Sequence, residues 1–207
     1  MTYDTGLGSK PLGSRNIGLF GGTFDPPHLG HLVAAEAVRD SLRLDEVRLV
    51  VASVPWQKEG SRPITEPARR VAMVQAALTG APGLVCSDVE VRLGGPSYSA
   101  VTLEELDRCE PGTTWHLILG ADAAAGLETW HRPGEVRRRS RLVVAARPGS
   151  TTPPPAGWDH VRVEVPLIGV SSTMIRDAVA AGRSIRYLCP DPVIDLIRSW
   201  RLYRPPA

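Results

Sequence analysis

Six short runs rich in aliphatic and β-branched residues recur along the chain: IGLF from Ile17, VRLVV from Val47, LVCS from Leu84, WHLIL from Trp115, RLVVAA from Arg141 and VRVEV from Val161. They alternate with helical patterns, and strands that alternate with helices fold as a parallel α/β sheet covered on its faces. Leu32, Ala35, Val38 and Leu42 form one helical stripe. Val71, Val74 and Leu78 form another, following Thr65 as the expected cap, and both stripes should cover the sheet. A chain of 207 residues, 43% of them hydrophobic, holds one good core and falls short of two ordinary domains. Residues 1–15, rich in Gly and Ser and without periodicity, read as a flexible extension, and 16–207 as a single domain. Pro-rich stretches at 54–67 and 148–157 read as surface loops.

Composition narrows the function classes. Lys and Arg number 24 against 22 Asp and Glu, so no broad field points to nucleic acid or an anionic membrane. The basic run at 137–141 ends a helical pattern and has no interleaved aromatic residues, as expected of a solvated helix face. Cys86, Cys109 and Cys189 are odd in number and form no CxxC pair, which fits free thiols and a cytoplasmic location. The N-terminus has no apolar leader, and no run approaches the ~20 apolar residues of a membrane helix.

The chemistry concentrates in IGLFGGTFDPPHLGHLVAAEAV, which reads as a strand, a Gly-rich turn and a helix start. Such a turn presents backbone N–H groups and the positive end of a helix to an anion, with phosphate the natural occupant. Gly21 and Gly22 allow close backbone approach, and Pro26 and Pro27 stiffen the path to His28, Gly30 and His31. GxGxxG is not matched and GxxxxGK[ST] is absent, so neither a redox dinucleotide turn nor a P-loop is supported. His28 and His31 lack HExxH and a clear third ligand, which argues against zinc. No protein-bound metal is expected.

GGTFDPPHLGH resembles the GxFxPxHxGH loop of the nucleotidylyltransferase superfamily. That superfamily also contains pantetheine-phosphate adenylyltransferases and cytidylyltransferases, and class I aminoacyl-tRNA synthetases share a related element. Further segments choose among these. VSSTMIRDAVAAG resembles the ISSTxIR motif of nicotinate and nicotinamide mononucleotide adenylyltransferases; its hydroxyl-rich start, Arg176 and the stop at Gly182 read as a capped helix and a second anion site. LILGADAAAGLETW, LVVAARPG, GGPSYSAVTLEEL, VPWQK and the closing SIRYLCPDPVIDLIRSWRLY are similar to that family's segments in the same order. Ser99 stands where the family has Thr, and Val101 where it has Asp.

The resemblance implies a Rossmann-like, doubly wound parallel sheet in three α/β/α layers, with a small C-terminal helical segment. It implies transfer of the adenylyl group of ATP to nicotinate mononucleotide, giving nicotinate adenine dinucleotide and pyrophosphate in NAD biosynthesis. By position, Gly21, Gly22, Thr23, Phe24, His28, His31, Gly120, Asp122, Ser171, Ser172, Thr173 and Arg176 would bind ATP. Lys58, Tyr98, Ser99 and Trp130 would bind the mononucleotide, Trp130 by stacking on the pyridine. His28, His31 and Arg176 would be catalytic, stabilising charge on phosphate oxygens. Mg²⁺ would accompany ATP. A non-catalytic nucleotide sensor on the same fold is the contrasting class, and a homo-oligomer is left open.

Overall fold

The computed structural model describes residues 14–55, 63–147, 149 and 152–205. β1 (Asn16–Gly22) lies at the centre of a six-stranded sheet with β2 (Glu46–Val51), β3 (Leu84–Ser87), β4 (Thr114–Gly120), β5 (Ser140–Ala146) and β6 (His160–Glu164). The order is β3-β2-β1-β4-β5-β6, and every pairing is parallel. Strand order therefore reverses between β1 and β4, and the crevice at their C-terminal ends is where open α/β sheets bind ligands.

Alternation along the strands splits the core in two. Ile17, Leu19, Trp115, Leu117, Leu119, Leu142 and Val144 face one side. There they meet α3 (Val89–Leu93), α4 (Ser99–Cys109), α5 (Ala121–Ala125) and α6 (Pro133–Arg139). Val47, Leu49, Val51, Ile118, Val143 and Val163 face the other, against α1 (Leu29–Ser41) and α2 (Pro67–Ala77). Three layers result. A third cluster joins Met73 and Ala77 of α2 to α7 (Ser172–Ala180) and α8 (Asp191–Ser199), the small C-terminal helical segment.

Packing under β1 is tight enough to dictate a residue. A methyl group on Gly18 would lie 2.8 Å from both Ile118 Cδ1 and Val47 Cγ2. Arg15, at the end of the expected extension, is tied to the sheet: its carbonyl accepts from Thr114 N–H at 2.8 Å and its guanidinium pairs with Glu46 at 2.6 Å. Thr65 is not the cap of α2. Pro67 takes the first helical position, where its missing N–H costs nothing, and this makes Glu66 the N-cap. The basic run closes α6, and Arg138 and Arg139 share Glu135.

Candidate active site

β1 ends in Gly21 and Gly22, and the following loop delivers His28 as the N-cap of α1. The His28 N–H donates to His31 Nδ1 at 3.2 Å. A ring nitrogen that accepts carries no proton, so neutral His31 is protonated on Nε2 and offers it as a donor. The two imidazoles stack with centroids 3.6 Å apart, and Phe24 meets His31 edge-on at 5.0 Å. Gly30 makes the stack possible, since a Cβ there would come within 3.1 Å of the His28 ring. Burial lowers the His28 pKa to about 4, which keeps the ring neutral at pH 7. Its Nδ1 is buried without a hydrogen-bond partner among the described residues.

Two pockets open at the switch point, one on each side of β1. The first, about 320 Å³, is lined by His28, Gly30, His31, Gly120, Arg147 and Ser171, among others. The second, about 250 Å³, is lined by Thr23, Glu90, Ser97, Ser99 and Trp130, with Leu117 and Leu119 at its base. Gly21 lines both. Chain neighbours aside, a Cβ on Gly21 would meet no atom of the described residues within 4 Å, so its substituent would enter the crevice itself. Two larger clefts lie elsewhere, one along α7 and α8 and one at the N-terminal edge of β4, β5 and β6, where neither histidine reaches.

Not every expected contact reaches a pocket wall. Phe24 is only 2% exposed, and its side chain packs below the loop. Gly22 and Thr23 line the Trp130 pocket rather than the histidine pocket. Asp122 is exposed on the first turn of α5. Tyr98 stacks on His131 with centroids 4.4 Å apart, leaving Ser99 to line the pocket. In α7, Ser171 caps the helix by accepting from Met174 N–H at 3.1 Å. Ser172 Oγ donates to Pro26 O at 2.8 Å, and Thr173 Oγ1 accepts from Arg176 at 2.9 Å. Arg176 also donates to Asp25 O at 2.8 Å, which brings it against the phosphate loop. Lys58 lies outside the described residues.

Further residues shape the site: Arg147 comes from the LVVAARPG segment, whereas Glu90 and Arg70 carry no local sequence signal. Arg147 lines the histidine pocket and adds a cation to it. Glu90 is buried beside the Trp130 pocket, where Thr102 Oγ1 donates to it at 2.7 Å. Burial raises its pKa and favours the neutral acid. Arg70 is 1% exposed and donates to the carbonyls of Thr23, Ala52, Ser53 and Thr65, joining the loops that follow β1 and β2. Among the described residues no group of three His, Cys, Asp or Glu side chains could hold a metal ion, and no helix is long and apolar enough to cross a membrane.

A parallel sheet with a glycine- and histidine-bearing loop at its switch point has the form of a nucleotide-binding α/β protein, and a cytidylyltransferase-like family model matches residues 19–178. A protein of Exiguobacterium sibiricum named probable nicotinate-nucleotide adenylyltransferase is 42% identical over 90% of this chain and 98% of its own length. One of the same name from Methylibium petroleiphilum is 41% identical over 93% and 94%. The fold matches that of Plasmodium falciparum nicotinic acid mononucleotide adenylyltransferase complexed with NaAD, with a TM-score of 0.74 at 16% identity, covering 91% of this chain and 97% of that one. The chain belongs to the nicotinate-nucleotide adenylyltransferases, nucleotidyltransferases within the cytidylyltransferase-like family.

Proposed function

We propose that the protein transfers the adenylyl group of ATP to nicotinate mononucleotide by in-line attack, without a covalent enzyme intermediate, releasing nicotinate adenine dinucleotide and pyrophosphate. The observation that carries this reading is the pair of pockets sharing Gly21. One has the His28 and His31 rings and a nearby cation, suited to a nucleotide polyphosphate; the other has an aromatic wall and hydroxyls, suited to a pyridine ribonucleotide. Substrates held on either side of one glycine meet at the strand end.

The attacking 5′-phosphate is already an anion at pH 7, so no general base is required. The protein aligns the phosphate with the α-phosphorus and stabilises charge as the bond to pyrophosphate breaks. His31 donates from Nε2 to the reacting phosphate, His28 in the same pocket adds a hydrogen bond to the phosphates, and Arg176 with Arg147 attracts the leaving pyrophosphate. Mg²⁺ comes with ATP and is held by its phosphates; the loop supplies hydrogen-bond donors rather than a carboxylate cage. Trp130 stacks on the pyridine, and the start of α4 at Ser99 faces its carboxylate with the positive end of the helix. Lys58 would meet the substrate phosphate.

The test offers nicotinate mononucleotide, nicotinamide mononucleotide and 4′-phosphopantetheine side by side, each with ATP or CTP, and reads pyrophosphate release. ATP with nicotinate mononucleotide should be the fastest pair; a faster rate with another acceptor overturns the substrate assignment. His31→Ala should lower kcat about 100-fold or more, the scale of losing one transition-state donor, while the fold survives. A rate near that of the wild type would sink its role.

A further inference from the structure

The C-terminal end of the chain reaches the phosphate loop. After α8, the backbone turns back through two residues in the left-handed region, Arg201 with φ 51° and Tyr203 with φ 61°. Such φ values are costly for residues with side chains, and they persist only where surrounding contacts enforce them. At Arg201 the turn is closed by Leu202 N–H donating to Ile197 O at 3.0 Å. It carries the Tyr203 ring down among α2, α7 and α8, where its hydroxyl donates to Asp25 Oδ1 at 2.7 Å and lies 3.9 Å from Met73 Sδ.

Asp25 is 1% exposed, and its other carboxylate oxygen accepts from Thr65 N–H at 3.4 Å. Its backbone carbonyl is the acceptor for Arg176, and the next carbonyl, of Pro26, is the acceptor for Ser172. One peptide segment thus orients both the first turn of α7 and its guanidinium. Burial and the Asp25 carboxylate push the Tyr203 phenol well above its ordinary value, so it remains a donor throughout the working pH range.

We propose that Tyr203 is a positioning residue for the adenylyl transfer: its hydroxyl fixes Asp25, and Asp25 fixes the direction in which Arg176 meets the pyrophosphate. This rests on the reaction proposed above. The contact is made 178 residues along the chain from the loop it controls, so the loop's geometry draws on the turn that follows α8. Tyr203 touches neither pocket, and its effect passes through Arg176.

The experiment uses the full chain with Tyr203→Phe, which keeps the ring and removes only the hydroxyl, and Tyr187→Phe as a control at an exposed tyrosine. Assayed well below the melting temperature, Tyr203→Phe should lower kcat about tenfold, as misaligned catalytic groups do, with KM for nicotinate mononucleotide within about twofold of the wild type. Tyr187→Phe should match the wild type. On an Arg176→Lys background, Tyr203→Phe should lose most of its effect. An unchanged kcat with a lowered melting temperature would make Tyr203 a structural anchor and overturn the proposal. So would a full tenfold loss persisting on the Arg176→Lys background. If the unmutated protein turns over none of the acceptors, it is the reaction itself that fails.

Discussion

At the scale of single residues, two glycines of the same strand are required for opposite reasons. Gly18 is excluded from bearing a side chain by protein atoms, with contacts of 2.8 Å already waiting on both sides. Gly21 has empty space where a Cβ would project. Gly18→Ala should cost about 1–3 kcal/mol in chemical denaturation, the usual range for overpacking. Gly21→Ala should leave stability unchanged or raise it by up to about 1 kcal/mol through the unfolded state, while turnover falls at least about tenfold. Wild-type turnover in Gly21→Ala would show that substrates do not meet at that strand end. Much of the site is legible at this scale: His28, His31, Ser99 and Trp130 stand in recognisable segments and do line the two pockets. Arg147 stands in the LVVAARPG segment and is legible in the same way; Glu90 is not, because a lone acid acquires a role only when another segment folds over it.

At the scale of elements, legibility follows length. All six strands, the apolar stripes of α1 and α2 and the capped start of α7 are visible in the sequence, whereas α3 and α5, at five residues each, are too short to display a period. At α2 the side-chain preference points to Thr65 as cap, yet Pro67 sets where the helix begins and Glu66 takes the cap position. The displaced threonine is not idle: its carbonyl accepts from Arg70 Nε at 2.7 Å. Arg70 lies on α2 but serves the loops, joining the segments after β1 and β2 through four carbonyls. Arg70→Met should therefore cost about 3 kcal/mol or more, because buried carbonyls lose their donor together. Arg70→Lys should recover part of that loss, and the two denaturation midpoints compare them directly. Equal stability of Met and Arg at this position would remove the linking role.

At the scale of the whole molecule, the two most buried histidines tie folding to pH. His28 and His116 both have pKa values lowered to about 4, chiefly by burial, with Arg141 adding to the effect at His116. The fold thus prefers both rings neutral, while the unfolded chain protonates them near pH 6.5. Their stabilising contribution is complete above about pH 6.5 and is lost as pH falls toward 4, at about 1.4 kcal/mol per pH unit for each ring. Urea denaturation at pH 7, 6 and 5 reads that slope, and His116→Gln should roughly halve it; a stability independent of pH over this interval would contradict the assignment. The division of the molecule at Gly21 has a consequence of its own. A single bare strand end is thus common wall to both cavities, and any side chain at position 21 narrows the two of them at once.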